Sequence, residues 1–216
     1  MLSDEDRNVK SSCIAALGRL GNDNPEMVTR LVTLLDDNNY SVRCGIAEVL
    51  GRIGNASIEV VTELLSLLSD NKWSVRFGAV EALGQLGNAD PEIMTGLVPM
   101  LGDEESLVRY GAAKVFGQLG QANLEVVSIL LSLLNDEDRN VRSSAAEALA
   151  KLGHANPEVV SILLSFLGDK YPRLTDAASA LTQLSKTSDI ICPEVVQWLK
   201  QNANHDEIGS AIDCLW

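Results

Sequence analysis

The side chains that could support chemistry are few and lie far apart in this sequence. His154 and His205 have no carboxylate or thiol partner at the spacing of a metal site or a catalytic pair. The sequence holds no Ser-His-Asp set, phosphate-binding glycine loop or zinc motif. We therefore expect no catalytic residue, no bound metal and no cofactor, and we interpret His154 as a solvated loop residue.

Cysteine usage and charge narrow the class of protein further. Cys13, Cys44, Cys192 and Cys214 show no CxxC spacing, which favours free thiols in a reducing compartment. The chain carries 30 acidic and 17 basic side chains, a formal charge of −13, and such a surface repels phosphate groups. No apolar run approaches the ~20 residues that span a bilayer, and the polar start is not a secretory signal. We expect a cytoplasmic protein that binds neither nucleic acid nor membrane.

The sequence repeats itself every 33 residues. The phrase DEDRNVKSS, which begins at Asp4, returns as DEDRNVRSS at Asp136, four periods later. Rows of 33 residues align almost without gaps, and such a period indicates a stacked array of supersecondary units. The aligned columns include Leu2, Leu35, Leu68, Leu101, Leu134 and Leu167, then Asp4, Asp37, Asp70, Asp103, Asp136 and Asp169, and Lys10, Arg43, Arg76, Arg109 and Arg142.

Each row predicts two helices joined by a capped loop. In the second row, Val42, Ile46 and Val49 belong to one apolar stripe of helical period. The first helix should end at a left-handed glycine and the second should begin after an N-cap former, often with proline at its first position. The glycines are Gly21, Gly54, Gly87, Gly120 and Gly153, the caps Asn24, Ser57, Asp90, Asn123 and Asn156, and the prolines Pro25, Pro91 and Pro157. Glutamates at Glu26, Glu59, Glu92, Glu125 and Glu158 suit the first helical turn.

The period predicts an all-α fold, an α-solenoid in which six antiparallel helix pairs form a right-handed superhelix. Mid-helix glycines that recur at Gly51, Gly84 and Gly117 indicate close approach of a neighbouring helix backbone. The repeats are 2–34, 35–67, 68–100, 101–133, 134–166 and a divergent sixth at 167–203, followed by a helical tail or the start of a further repeat at 204–216.

The pattern LxDxxxxVRxxAAxALGxLG resembles HEAT repeats, in particular the short type first named from phycobilisome lyases. The segment that begins LLNDEDRNVRSSAAEALAKLG also resembles arrays in bacterial, often cyanobacterial, NACHT-type STAND NTPases. The resemblance implies that the second helices line a concave face and that the Asp and Arg columns form a ladder between units. The ladder would consist of Asp37, Asp70, Asp103 and Asp136 with Arg43, Arg76, Arg109 and Arg142, and would weaken at Thr175.

Two variable columns on the first helices collect aromatic residues in repeats two to four. These candidate partner-binding residues are Tyr40, Trp73, Phe77 and Tyr110. The same columns hold arginine or serine in other repeats, so the rings could serve contact with a partner. The alternative is that they pack between adjacent units.

A third variable column lies on the polar side of the second helices. It holds Arg30, Glu63, Gly96, Ile129 and Ile162, and we count its four side chains among the partner-binding candidates. Gly96 and the nearby Pro99 predict a kinked or loosened last turn in the third repeat.

We expect a non-enzymatic scaffold that binds a protein or peptide, and the resemblance implies a place in the sensor array of a STAND-type NTPase. One alternative is a phycobilin lyase subunit or its chaperone, and another is a structural spacer without a ligand. The chain begins where a preceding repeat would end, so we also predict self-association through the amino-terminal end, or excision from a longer protein.

Overall fold

A computed structural model describes residues 24–87, 90–154 and 156–167, with isolated positions at 16, 181–182, 184–185, 193 and 196–198. The amino-terminal end, most of the first helix of repeat one, most of repeat six and the tail lie outside the described residues. Thr175, His205, Cys13, Cys192 and Cys214 also lie outside them.

The described part of the chain is helical and contains no strand, which confirms the all-α prediction. It holds the second helix of repeat one and four complete helix pairs. The helices are α1 (Pro25–Thr33), α2 (Tyr40–Ile53), α3 (Ile58–Ser66), α4 (Trp73–Gln85), α5 (Pro91–Leu97), α6 (Ser106–Leu119), α7 (Leu124–Leu133), α8 (Arg139–Lys151) and α9 (Pro157–Leu167).

Caps delimit the helices where the sequence placed them. The Asn24 side chain accepts a hydrogen bond from the Met27 N–H at 3.1 Å, and Asn156 serves α9 in the same way. Gly54 ends α2 with a φ of 71°, a left-handed conformation that costs a β-carbon-bearing residue free energy. Positive φ values also occur at Gly87, Gly120 and Gly153. The predicted helix boundaries are therefore confirmed at these loops.

Three second helices tighten into 3-10 turns before the chain reverses. These turns are Leu34–Asp36, Leu67–Ser69 and Val98–Gly102. In repeat two the α-helix ends at Ser66, and the tighter i→i+3 pattern that follows satisfies carbonyls that have no α-helical partner. The longest 3-10 stretch contains Pro99, as predicted for a loosened turn.

By internal contacts the chain divides into residues 1–115 and 116–216. In the first unit α2 packs on α4, and Ile46, Leu50 and Leu83 are fully buried. In the second unit α8 packs on α7 and on α9. Each unit therefore has an apolar core formed between successive helices.

The glycine column permits close helix approach by two different routes. A β-carbon on Gly51 would lie 2.7 Å from the Ala82 Cα, and one on Gly117 would lie 2.9 Å from the Ala148 Cα. At Gly84 the obstacle is the Val115 side chain, 2.5 Å away, rather than a backbone atom. The predicted backbone approach therefore holds at two of these three positions.

Candidate functional site

Arginines and aspartates link successive repeats in the first unit. Arg43 donates to Asp70 through Nε at 2.7 Å and Nη2 at 3.0 Å, and Arg76 donates to Asp103 at 2.7 and 2.8 Å. The Arg76 and Asp103 side chains are only 9% and 6% exposed. Such bidentate pairs are the strongest form of arginine–carboxylate contact.

Each of these arginines also holds the turn of its own repeat. The Arg43 Nη1 donates to the Asp37 carbonyl at 2.8 Å, and the Arg76 Nη1 donates to the Asp70 carbonyl at 2.9 Å. Arg109 and Arg142 donate to the Asp103 and Asp136 carbonyls at 2.8 and 2.7 Å. The aspartate side chains close the same turns, as when Asp70 Oδ1 accepts the Lys72 N–H at 2.8 Å. The arginine thus fixes a turn and a neighbouring repeat together.

The pKa of Asp103 reflects two opposing effects. Burial alone would raise its pKa, but the hydrogen bonds from Arg76 and from the Glu105 N–H, with the charge of Arg76, bring it below the ordinary value. The pKa of Asp70 is lowered for the same reasons, with Arg43 and the Lys72 N–H as donors. Both carboxylates are therefore ionised at neutral pH, as the ion pairs require.

The aromatic candidates differ in exposure. Tyr40 is 48% exposed and Trp73 is 40% exposed, each as the first residue of its helix. Phe77 and Tyr110 are half-buried, and the Phe77 ring lies 3.0 Å from where a β-carbon on Gly111 would stand. Phe77 thus packs toward the next first helix, whereas Tyr40 and Trp73 present their rings to solvent.

The candidates on the second helices also differ in exposure. Arg30 is exposed and paired with Glu26 at 2.8 Å, whereas Glu63, Ile129 and Ile162 are half-buried.

An apolar groove lies between α3 and α5, and sequence reasoning did not find it. We name it the Gly96 groove, a space of about 600 Å³ with a mainly apolar lining. The residues that line it are Leu65, Leu68, Ser69, Pro91, Glu92, Thr95, Gly96, Pro99 and Met100. A β-carbon on Gly96 would lie 2.4 Å from the Leu65 Cδ2, so Leu65 lies across the bare helix. The sequence signal for this groove was Gly96 itself, because the other repeats place larger residues at the same aligned position.

An acidic groove of about 820 Å³ borders the other side of α3. We define it by Asp36, Asp37, Glu59, Glu63 and Asp70, with Arg43 as the basic residue of its wall. Arg43 is already bonded to Asp70 and to the Asp37 carbonyl, so the groove presents an excess of negative charge.

Little in the described residues indicates reaction chemistry. His154 is exposed in the loop after Gly153, where the sequence placed it. Among residues with described positions, no group of three or more His, Cys, Asp or Glu side chains could hold a metal ion. No helix within the described ranges has the length and apolar character needed to cross a membrane.

The capped helix pairs, the apolar core between successive helices and the arginine–aspartate links define a helical-repeat protein of the α-solenoid class. The sequence profile described as HEAT repeats matches residues 1–66, 30–93 and 94–182. The chain belongs to the HEAT-repeat family.

Solved structures resemble this chain in fold at low sequence identity. The complex of CpcE and CpcF of phycocyanin lyase from Nostoc sp. PCC7120 is 18% identical with a TM-score of 0.63, over 99% of this chain and 89% of that one. Kap121p is 16% identical with a TM-score of 0.67, over 99% of this chain and 28% of that one. An engineered protein is 20% identical with a TM-score of 0.60, over 87% and 94% of the two chains. No match was found among curated proteins.

Proposed function

We propose that this chain is a non-enzymatic scaffold that binds a protein or a peptide. The observation that carries the proposal is the exposure of Tyr40 and Trp73, at 48% and 40%, in a column where other repeats place arginine or serine. Aromatic side chains that stay exposed in a repeated position are typical of contact surfaces, because they bury a large area on binding. Since the two rings begin the first helices of adjacent repeats, one partner could cover both.

The rival function is that of a phycobilin lyase subunit or chaperone. One structural neighbour is the complex of CpcE and CpcF of phycocyanin lyase, and it supports this alternative through fold alone. Titration with a free bilin separates the two functions, because a scaffold for proteins should leave the bilin absorption spectrum unchanged. A reproducible spectral shift with a stoichiometric end point would favour the lyase function.

Serine substitution at both exposed aromatics tests the scaffold proposal. The probe is the set of peptides recovered from a phage-displayed random library selected against the whole chain. Tyr40→Ser with Trp73→Ser should weaken binding by about tenfold or more, as expected for aromatic anchors. Because Ser106 occupies this helix position in α6, the thermal midpoint should hardly change.

Ile58→Pro provides the matched control for the aromatic variant. Ile58 is 86% exposed at the first position of α3, where Pro25 and Pro91 stand in neighbouring repeats. This substitution removes an exposed apolar side chain at the other end of the helix pair and should leave binding unchanged. Equal losses in both variants, or none in the aromatic variant, would contradict a role for this surface. A chain that binds nothing at all would fit a structural spacer.

The same proposal includes a cytoplasmic place in the sensor array of a larger STAND-type NTPase, supported by the sequence resemblance. A nucleotide-binding module encoded in the same reading frame would support it. A flanking lyase gene pair without such a module would favour the rival function.

A further inference from the structure

We infer that the Gly96 groove and the acidic groove together receive one peptide segment that combines an apolar side chain with lysine or arginine. The inference rests on the proposed function, because it names the chemistry of the partner that such a scaffold would bind. Neither Tyr40 nor Trp73 lines either groove, but the acidic groove includes Asn38 and Asn71, which lie two residues before them.

The two grooves share the helix α3 as a common wall. Leu65 and Leu68 face the Gly96 groove, whereas Glu63 and Asp70 border the acidic groove. The helix α3 contacts both α1 and α5, so the two grooves run between successive second helices of one unit. Helices packed in this way lie about 8–10 Å apart. About three extended residues span that distance.

The apolar half offers a place for one large side chain. Of the residues that line it, Leu68 and Met100 are buried and Leu65 is half-buried. Because position 96 has no side chain, the surface of α5 at this point is backbone and neighbouring methyl groups. A leucine, methionine or phenylalanine of a partner would bury its area there, with a gain proportional to the apolar surface removed from water.

Charge determines what must lie beside that apolar side chain. Five carboxylates border the acidic groove against one guanidinium, and that guanidinium is occupied by Asp70 and by a backbone carbonyl. The chain as a whole carries a formal charge of −13, so the long-range field has the same sign. An acidic or neutral partner would lose the electrostatic contribution, whereas lysine or arginine would be drawn to this groove.

A library experiment tests the inference without assuming a natural partner. A random dodecapeptide library is selected against the intact chain, and recovered peptides are labelled with fluorescein for anisotropy titration. We expect enrichment of peptides in which lysine or arginine stands about three residues from leucine, methionine or phenylalanine. Their binding should weaken with added salt, as exposed charge pairs do.

Two variants alter the two grooves separately. Gly96→Ile installs the residue that Ile129 and Ile162 place in this column, displaces the end of the Leu65 side chain and fills the apolar groove. Asp36→Asn with Glu59→Gln and Glu63→Gln removes three charges at constant shape. Each variant should weaken binding by about tenfold, and the charge variant should also reduce the salt dependence. The charge variant changes only side chains near the surface, so it tests the site even if Gly96→Ile folds poorly.

The matched control neutralises three carboxylates elsewhere, with Glu104→Gln, Glu105→Gln and Glu125→Gln. These residues are exposed and lie outside both grooves, so the control should bind the peptides as the unchanged chain does. Peptides that bind but lack the basic–apolar composition, or that tolerate both groove variants, would overturn the inference and leave the scaffold proposal standing. Recovery of no binding peptide would overturn the inference as well. If the control variant weakened binding equally, the effect would come from net charge alone, and the proposed site would be wrong.

Discussion

Replacing Arg76 with methionine should lower the free energy of unfolding by about 3–5 kcal/mol, because the Asp103 carboxylate would remain buried without its partner. The two side chains are 9% and 6% exposed, and the Arg76 Nη1 also holds the Asp70 carbonyl. Urea unfolding followed by far-UV circular dichroism measures the change. A repeat array can unfold in stages, so the shift should be sought in the transition that belongs to the first unit.

Arg52→Met is the control for the loss of an arginine as such. Arg52 pairs with Glu48 on one helix, and their side chains are 43% and 36% exposed. A pair of this kind is worth about 0.3–0.5 kcal/mol. If Arg76→Met were no more damaging than Arg52→Met, the link between repeats would contribute little to stability.

The same link gives stability a dependence on acid pH. The pKa values of Asp70 and Asp103 are lower in the folded chain than their ordinary value of about 3.9. Their contribution is therefore fully present above that ordinary value and is lost as the pH falls through the folded values. Arg76→Met should remove part of this dependence, which unfolding curves measured from neutral to acid pH would show. If the loss of stability at acid pH were the same in the variant as in the unchanged chain, the acid dependence would not come from the Arg76–Asp103 link.

Adding one methyl group at Gly51 should destabilise the chain, whereas the same change at Gly78 should not. A β-carbon at Gly51 would meet the Ala82 backbone at 2.7 Å, so Gly51→Ala forces α2 away from α4 at a cost of about 1–3 kcal/mol. At Gly78 the nearest atom, the Cys44 Sγ, lies at 3.4 Å, an ordinary contact. Gly78→Ala should gain about 0.5–1 kcal/mol from helix propensity.

Thermal unfolding of the two alanine variants, measured side by side, decides between these expectations. Both glycines lie in helices of the first unit, so differences in helix propensity cancel in the comparison. Opposite shifts of the midpoint support tight packing at Gly51. Similar shifts would show that the helices can separate at little cost.

Local rules made much of the fold predictable from the sequence. Helix caps depend only on nearby backbone groups, so the roles of Asn24, Pro25 and Gly54 follow from residue type and position. The period adds the core, because a residue buried in one repeat is matched by its equivalents in the next. The change from α to 3-10 geometry at Leu67 was not predictable in this way, because it depends on which donors reach the last carbonyls of the helix.

The candidate surfaces were less predictable because they depend on pairs of repeats. Trp73 and Phe77 stand one helical turn apart, yet the first is exposed and the second packs where Gly111 leaves room. The Gly96 groove likewise requires both the missing side chain and the position of Leu65 on the preceding second helix. The residue type at a single aligned position does not reveal either contact, because each contact involves two repeats.

Arg43 and Arg76 each bond both their own turn and the next repeat, and this restricts how the array can change length. Arg43 bonds a carbonyl six residues before it and a carboxylate 27 residues after it, and the two separations together make one period. Asp70, whose carboxylate accepts the hydrogen bond from Arg43, also supplies the backbone carbonyl that accepts a hydrogen bond from the next arginine, Arg76. Insertion or loss of a whole 33-residue module therefore restores every bond at the junction, whereas any other length leaves a guanidinium and a carboxylate unmatched.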